Sequence, residues 1–173
     1  MDPLQYSIPF DEIEHLDRKA AENLSGSLIY IMHADKIPPH IGWSVDQLFY
    51  SLKANGIDYD FPRMKLDTLL FSKSIPTLLI ALKDNHSIER TRQSFEQFGQ
   101  SINKGKTCLS PIDQIIHGPV GNATRIGDLL RQLDNEKQIK KIYGIHIPDS
   151  YCGIAAYSAE DINARIQKLK QND

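Results

Sequence analysis

The chain has 173 residues, with 20 Lys and Arg against 22 Asp and Glu for a formal charge of −2. That length predicts a single domain over residues 1–173 that buries its core without a disulfide or a structural metal. The charge balance supplies no basic field, so neither nucleic acid nor an anionic membrane surface is expected as a partner.

Hydrophobic residues at 40% and charged residues at 24% exclude disorder and fibrous repeats. No apolar run reaches membrane-helix length, and Met1-Asp2-Pro3 leads into Asp11-Glu12-Ile13-Glu14 with no basic or apolar leader. No transmembrane segment and a cytoplasmic, reducing location are therefore expected, with the oligomeric state left open. In that setting Cys108 and Cys152 read as free thiols, and the sequons at Asn23, Asn85 and Asn122 as chance matches.

In chain order, Ile13, Leu16, Ala20 and Leu24 recur at helical spacing and predict an amphipathic helix over Asp11–Leu24, ended by Ser25-Gly26. Leu28–Met32 reads as a buried strand. After Pro38-Pro39, the runs His40–Val45 and Leu48–Leu52 read as a hairpin turning at Asp46-Gln47. Asn55-Gly56 and Asp58–Pro62 predict a loop, Leu66, Leu69 and Leu70 a short helix, and Thr77–Leu82 a strand.

Ile88, Phe95, Phe98 and Ile102 mark the next helix, followed by a linker over Ser101–Thr107. Ser110-Pro111-Ile112-Asp113 looks like a helix start, with a hydroxyl, a proline in the first turn and an acid at the positive end of the dipole. If Thr107 caps that helix instead, Cys108 lies inside it. The helix is expected to stop at Gly118-Pro119. Ile126, Leu129, Leu130 and Leu133 predict a further helix and Ile139–Ile147 a strand. Ser158 with Asp161 reads as a capping box ahead of Ile162, Ile166 and Leu169. The order is neither strict βαβ alternation nor all-α. It favours an α+β domain with a mostly antiparallel sheet of about four to five strands and helices packed on it.

Phosphate-loop, dinucleotide, paired Cys-x-x-Cys, zincin and nucleophile-elbow signatures are absent from the sequence. What remains is a cysteine near a helix start and histidines on or beside strands. Alternation places Ile41, Trp43 and Val45 on one face of the hairpin, fit to bury, and His40, Gly42 and Ser44 on the other. With a turn at Asp46-Gln47, Ser51 joins the His40 face, whose small residues leave room for a helix to approach. A cysteine nucleophile needs a base, and the base an orienting group. Cys108, His40 and Ser51 are the candidates for these catalytic roles. Cys152 is a rival nucleophile without a helix start after it. His33, Asp35 and His40 have metal-ligand chemistry on a proline-rich loop, where such residues more often sit exposed. His15, His86, His117 and His146 read as solvated or capping.

At these residues Gly26-Ser27-Leu28-Ile29-Tyr30 and Pro39-His40-Ile41-Gly42-Trp43-Ser44-Val45 resemble the Gly-Asp-Leu-Ile and His-x-Gly-Ile segments of the circularly permuted NlpC/P60 papain-like superfamily. That group includes lecithin:retinol acyltransferase-like and YiiX-like proteins. In it the histidine precedes the cysteine, as His40 precedes Cys108, and Thr107-Cys108-Leu109-Ser110-Pro111-Ile112 is similar to its nucleophile helix. Ser27 stands where the family usually has Asp, and Ser51 falls near its third polar position. The resemblance implies a papain-like fold and a cysteine hydrolase or acyltransferase that needs no cofactor. It also implies a peptide, a peptidoglycan fragment or an acyl compound as substrate. The alternative is a papain-like binding or structural module whose Cys108 simply packs.

Overall fold

In the computed structural model, residues 3–99 and 107–171 are described. The centre is β3 (Leu28–Met32), buried along its whole length, with β4 (His40–Val45) on one side and β7 (Thr77–Leu82) on the other, both antiparallel to it. Beyond β4 come β5 (Leu48–Lys53) and β6 (Gly56–Pro62), and beyond β7 come β8 (Ile139–Ile145) and the short β2 (Glu14–His15). The pairing of β2 with β8 is parallel, which makes this seven-stranded sheet mixed. A separate ribbon joins β1 (Leu4–Ser7) to β9 (Gly153–Ala155). The architecture is α+β, and the sheet is larger than the four to five strands expected.

Alternation along the central strands sends side chains into two apolar layers. Ile29, Ile31, Ile41, Trp43 and Val45 face the first layer with Leu78 and Ile80. Three helices close it: α3 (Ile88–Gly99), α4 (Ser110–His117) and α5 (Ile126–Asn135). Leu28, Tyr30, Phe49 and Leu79 face the second layer, closed by α1 (Arg18–Glu22) and α2 (Arg63–Ser72). The two layers explain why β3 reads as continuous apolar sequence rather than alternating sequence. Between α2 and the sheet, Arg63 is 1% exposed and donates through Nη2 to the carbonyls of Ala21 and Glu22. Its Nε lies 3.5 Å from Asp67, whose other oxygen accepts the Tyr30 hydroxyl at 2.9 Å. Burial outweighs both partners and holds the Asp67 carboxyl up at about 6.

Three sequence expectations need correction. The Asp11–Leu24 helix exists only as α1, preceded by a 3-10 turn at Phe10–Glu12 and by β2. Asp17 starts α1 by accepting the Ala20 amide at 2.8 Å, and the segment before it is extended along Tyr143 and Gly144. The loop expected at Asp58–Pro62 is part of β6. Its unfavourable residues are tolerated because β6 is an edge strand: Pro62 ends it, Asp58 accepts Ser51 and Lys53, and Asp60 accepts Tyr50 and Arg92. The strand expected to reach Ile147 stops at Ile145. Ile102, placed in the α3 helix, and most of the Ser101–Thr107 linker lie outside the described residues.

The hairpin register is as alternation required: Val45 pairs with Leu48, Ser44 with Phe49 and Trp43 with Tyr50. The room on the Gly42 face is filled differently from expectation. A Cβ on Gly42 would meet the Phe49 ring at 2.3 Å, so it is the aromatic ring of the neighbouring strand, not a helix, that uses the small residue. Trp43, fully buried, donates Nε1 to Thr91 Oγ1 at 3.1 Å and so pins β4 to α3.

Two stability measurements test this packing. Trp43→Ala is expected to cost about 3–5 kcal/mol in thermal or denaturant unfolding, and a near-neutral result would place the indole outside the core. Gly42→Ala is expected to cost about 1–3 kcal/mol, because Phe49 is itself 1% exposed and cannot swing clear. The paired change Gly42→Ala with Phe49→Leu should recover most of that loss.

Candidate active site

Cys108 sits in the turn that leads into α4. Thr107 Oγ1 accepts the Leu109 amide at 3.3 Å, Ser110 Oγ accepts the Thr107 amide at 3.2 Å, and Pro111 follows within the first helical turn. The N-cap is therefore Leu109, and Ser110 is already helical rather than capping. The helix is fixed from both ends. Ser94 on α3 donates to the Pro111 carbonyl at 2.9 Å. Near the C-terminus, buried Asp113 holds His117 at 2.7 Å and the Ala123 amide at 2.9 Å. Leu109, Ile112 and Ile115 are buried in the first apolar layer, and Cys108 packs against that layer.

His40 opens β4. Alternation puts it on the Gly42 face, opposite to the layer that receives Cys108. The two residues nevertheless line the same cavity, of about 400 Å³, because both lie where the sheet opens at the ends of β4 and β5. Leu52, Leu109, Ile126 and Tyr157 form its apolar floor. Tyr157 is held there by accepting the Ile126 amide at 3.1 Å.

The electrostatics of the two groups run in opposite directions. Burial pushes the Cys108 thiol up, against the amides of Ile41, Cys108 and Leu109, which face the sulfur and favour the thiolate. Burial pushes the His40 imidazole down to about 4, against the field of Asp58. His40 Nε2 is enclosed and has no hydrogen-bond partner among the described residues, so no hydrogen bond joins it to the thiol. The resting site thus carries a neutral thiol and a neutral imidazole at pH 7. This differs from the thiolate that a helix start alone would suggest.

Ser51 is fully buried, but its hydroxyl donates to Asp58 Oδ2 at 2.7 Å, toward β6 and not toward the imidazole. Sequence reasoning misses Asp58, the carboxylate that acts most strongly on His40, because Asp58–Pro62 has the composition of a loop. Its register opposite Ser51 was the available signal. Cys152 is an exposed free thiol whose carbonyl accepts the Ile8 amide at 2.9 Å, and it is not part of the cavity lining among the described residues. His33 lines the cavity, and among the described residues no group of three His, Cys, Asp or Glu could hold a metal ion.

A larger polar cavity, of about 720 Å³, lies elsewhere and includes Ser27 and His86. There the Ser27 oxygen accepts the His86 amide at 3.0 Å and lies 3.1 Å from Nδ1 of the same residue, while the His86 ring stands edge-on to Trp43. Ser27 is 1% exposed, so the pair latches the loop after β7 to the start of β3. His86, expected to be solvated or capping, serves that latch. The smaller cavity is the candidate site, since it brings a thiol and an imidazole to an apolar floor, whereas the Ser27 oxygen in the larger one is 1% exposed and already engaged by the His86 amide.

Among the described residues, no helix is long and apolar enough to cross a membrane. Comparison of the chain with models of known families, with curated proteins and with solved structures found no match.

Proposed function

We propose that this cavity is the active site of a cysteine-dependent hydrolase or acyltransferase that cleaves an amide or ester bond. The papain-like architecture belongs to the same proposal. It is supported by the order of histidine before cysteine, by His40 at a strand start and by Cys108 at a helix start. The observation that carries the reading is the enclosed, unpartnered His40 Nε2 in the cavity that also holds Cys108. A buried polar atom left unbonded costs stability, so such atoms point to a role filled when a ligand arrives. A site built on a free thiol suits a reducing, cytoplasmic setting.

With both groups neutral, His40 acts as a general base during attack rather than as a standing imidazolium. The imidazole takes the thiol proton as Sγ bonds to the carbonyl carbon, and the carbonyl electron pair moves onto oxygen. Backbone amides at the start of α4 are the donors available to that oxyanion. Collapse expels the leaving amine or alkoxide, which receives the proton from His40 and leaves a thioester on Cys108. Water, or an acceptor alcohol or amine, then attacks the thioester with His40 again as base. Apo geometry leaves thiol and imidazole unbonded, and such bonds commonly tighten only around substrate. Asp58 is the positioning carboxylate of this scheme, in place of Ser51.

A second reading has its own support: burial raises the thiol pKa, and Cys108 packs on the apolar layer of Leu109 and Ile112 as a small hydrophobe would. In this reading the chain is a non-catalytic binding or structural module.

The two readings separate in one series of measurements. Incubation with p-nitrophenyl esters is expected to release a burst of nitrophenol and to leave an acyl adduct on Cys108 that mass spectrometry locates. Cys108→Ala should abolish the adduct, and His40→Ala should slow its formation by about 10²–10⁴-fold. The rate should hold a plateau from about pH 5 to pH 8. Its acid limb should fall at the low pKa of His40, near 4, rather than at the usual 6.5. Alkylation of Cys108 without substrate should be slower than that of Cys152, with an apparent pKa above the ordinary thiol value of about 8.5. If Cys152 is acylated while native Cys108 stays unmodified, the packed-cysteine reading replaces the enzyme.

A further inference from the structure

The outer wall of the cavity is the last helix, α6 (Ala159–Gln171), which starts at the Ser158–Asp161 capping box. No residue of α6 is buried, although Ile162, Ile166 and Leu169 lie at helical spacing and all line the cavity. Leu169 is 44% exposed. An amphipathic stripe that packs so little of itself leaves apolar surface on both sides of the cavity, α6 on one and Leu52, Leu109 and Tyr157 on the other. A ligand that buried both would gain the area that the protein's own packing leaves open.

The charged residues at this cavity carry one sign. Among the described residues its lining includes Lys53, Arg165 and Lys170 but no aspartate or glutamate. This contrasts with a chain whose net charge is −2. Lys53 is engaged by Asp58 at 2.9 Å, whereas among the described residues Arg165 and Lys170 make no ion pair. Both stand on α6 and share the stripe's side of the helix through their places in the lining. An apolar floor beside unneutralised cations fits a ligand with an aliphatic portion and an anionic group, held by burial at one end and by charge at the other.

We infer that the substrate is an aliphatic acyl compound bearing a carboxylate or phosphate, with the acyl chain between α6 and the floor and the anion at Arg165 and Lys170. The inference rests on the reading of Cys108 as the acyl acceptor and adds the class of acyl donor.

Binding and chemistry are tested apart. In Cys108→Ala, where no thioester forms, calorimetry is expected to detect binding of decanoate and of monodecyl phosphate, with weaker binding of 1-decanol and of decyltrimethylammonium. The relative affinity of the first two identifies the anionic group. The double change Arg165→Gln, Lys170→Gln, at surface positions, should weaken both anions at least tenfold and leave 1-decanol unchanged. Amide exchange across α6 should slow when decanoate is bound. In the wild type, p-nitrophenyl decanoate should acylate Cys108 faster than p-nitrophenyl acetate. Equal affinity for the anionic and cationic probes, or no effect of the double change, overturns the inference even if Cys108 is acylated by short esters. Decanoate binding without any acyl adduct on Cys108 leaves the anion site standing and overturns the enzyme.

Discussion

Pairing between β4 and β5 runs from Val45 and Leu48 to Trp43 and Tyr50, and the cavity exists because the two strands then follow different partners. β4 continues along β3 as far as the His40–Met32 pair, while β5 continues along β6 through Ser51, Leu52 and Lys53. Beside the divergence the β5–β6 pairing is irregular between Phe49 and Ser51, where Tyr59 and Asp60 of β6 stand against Tyr50 alone. The Ile41 amide, free of a β5 partner, meets the Cys108 sulfur instead. The thiol and the imidazole thus line one opening beside the end of the β4–β5 pairing.

The hairpin and its faces were legible because alternation is a local rule. Ile41, Trp43 and Val45 are all buried in one layer, as their spacing required. The α4, α5 and α6 helices were legible for the same reason, from Pro111, the Ile126–Leu133 stripe and the Ser158–Asp161 box. What failed was non-local. Ile13, Leu16 and Leu24 have helical spacing, yet Ile13 enters one apolar layer while Leu16 and Leu24 pack against the other, which no single helix face can do. The small residue at Gly42 suggests room for a helix, but the Phe49 ring of the neighbouring strand occupies that room, which residue spacing alone does not reveal. Asp58 looked like loop because propensity counts the residue and not the Ser51 and Lys53 partners that the sheet supplies.

The same divergence sets the electrostatics. A thiol and an imidazole drawn into an apolar opening are each penalised in the charged form, which moves their pKa values apart and keeps both neutral. Forming the thiolate–imidazolium pair within such a site requires that charge be compensated as it develops. Under the proposed function, the amides of Ile41, Cys108 and Leu109 beside the sulfur and the field of the Asp58 carboxylate at His40 are the groups that supply it. Dipoles held by the fold cost no reorganisation during reaction, whereas water would have to reorient. A resting thiol kept neutral is also a poor target for oxidants and alkylating agents, which act on the thiolate.

The last helix links this site to the rest of the chain. Elsewhere apolar stripes are spent on the core: Leu129, Leu130 and Leu133 of α5 are fully buried, and α5 is tied further by the Gly127 amide to Gln5 at 3.0 Å. The stripe on α6 is partly buried at Ile162 and Ile166 and largely exposed at Leu169. Since a helix gains most of its stability in a protein from packing one face, a helix that packs so little is held chiefly by its capping box and by the few contacts of that stripe. Under the proposed function, an element that packs so little and forms one wall of the cavity is the one that can admit ligand without disturbing β4, whose register places His40.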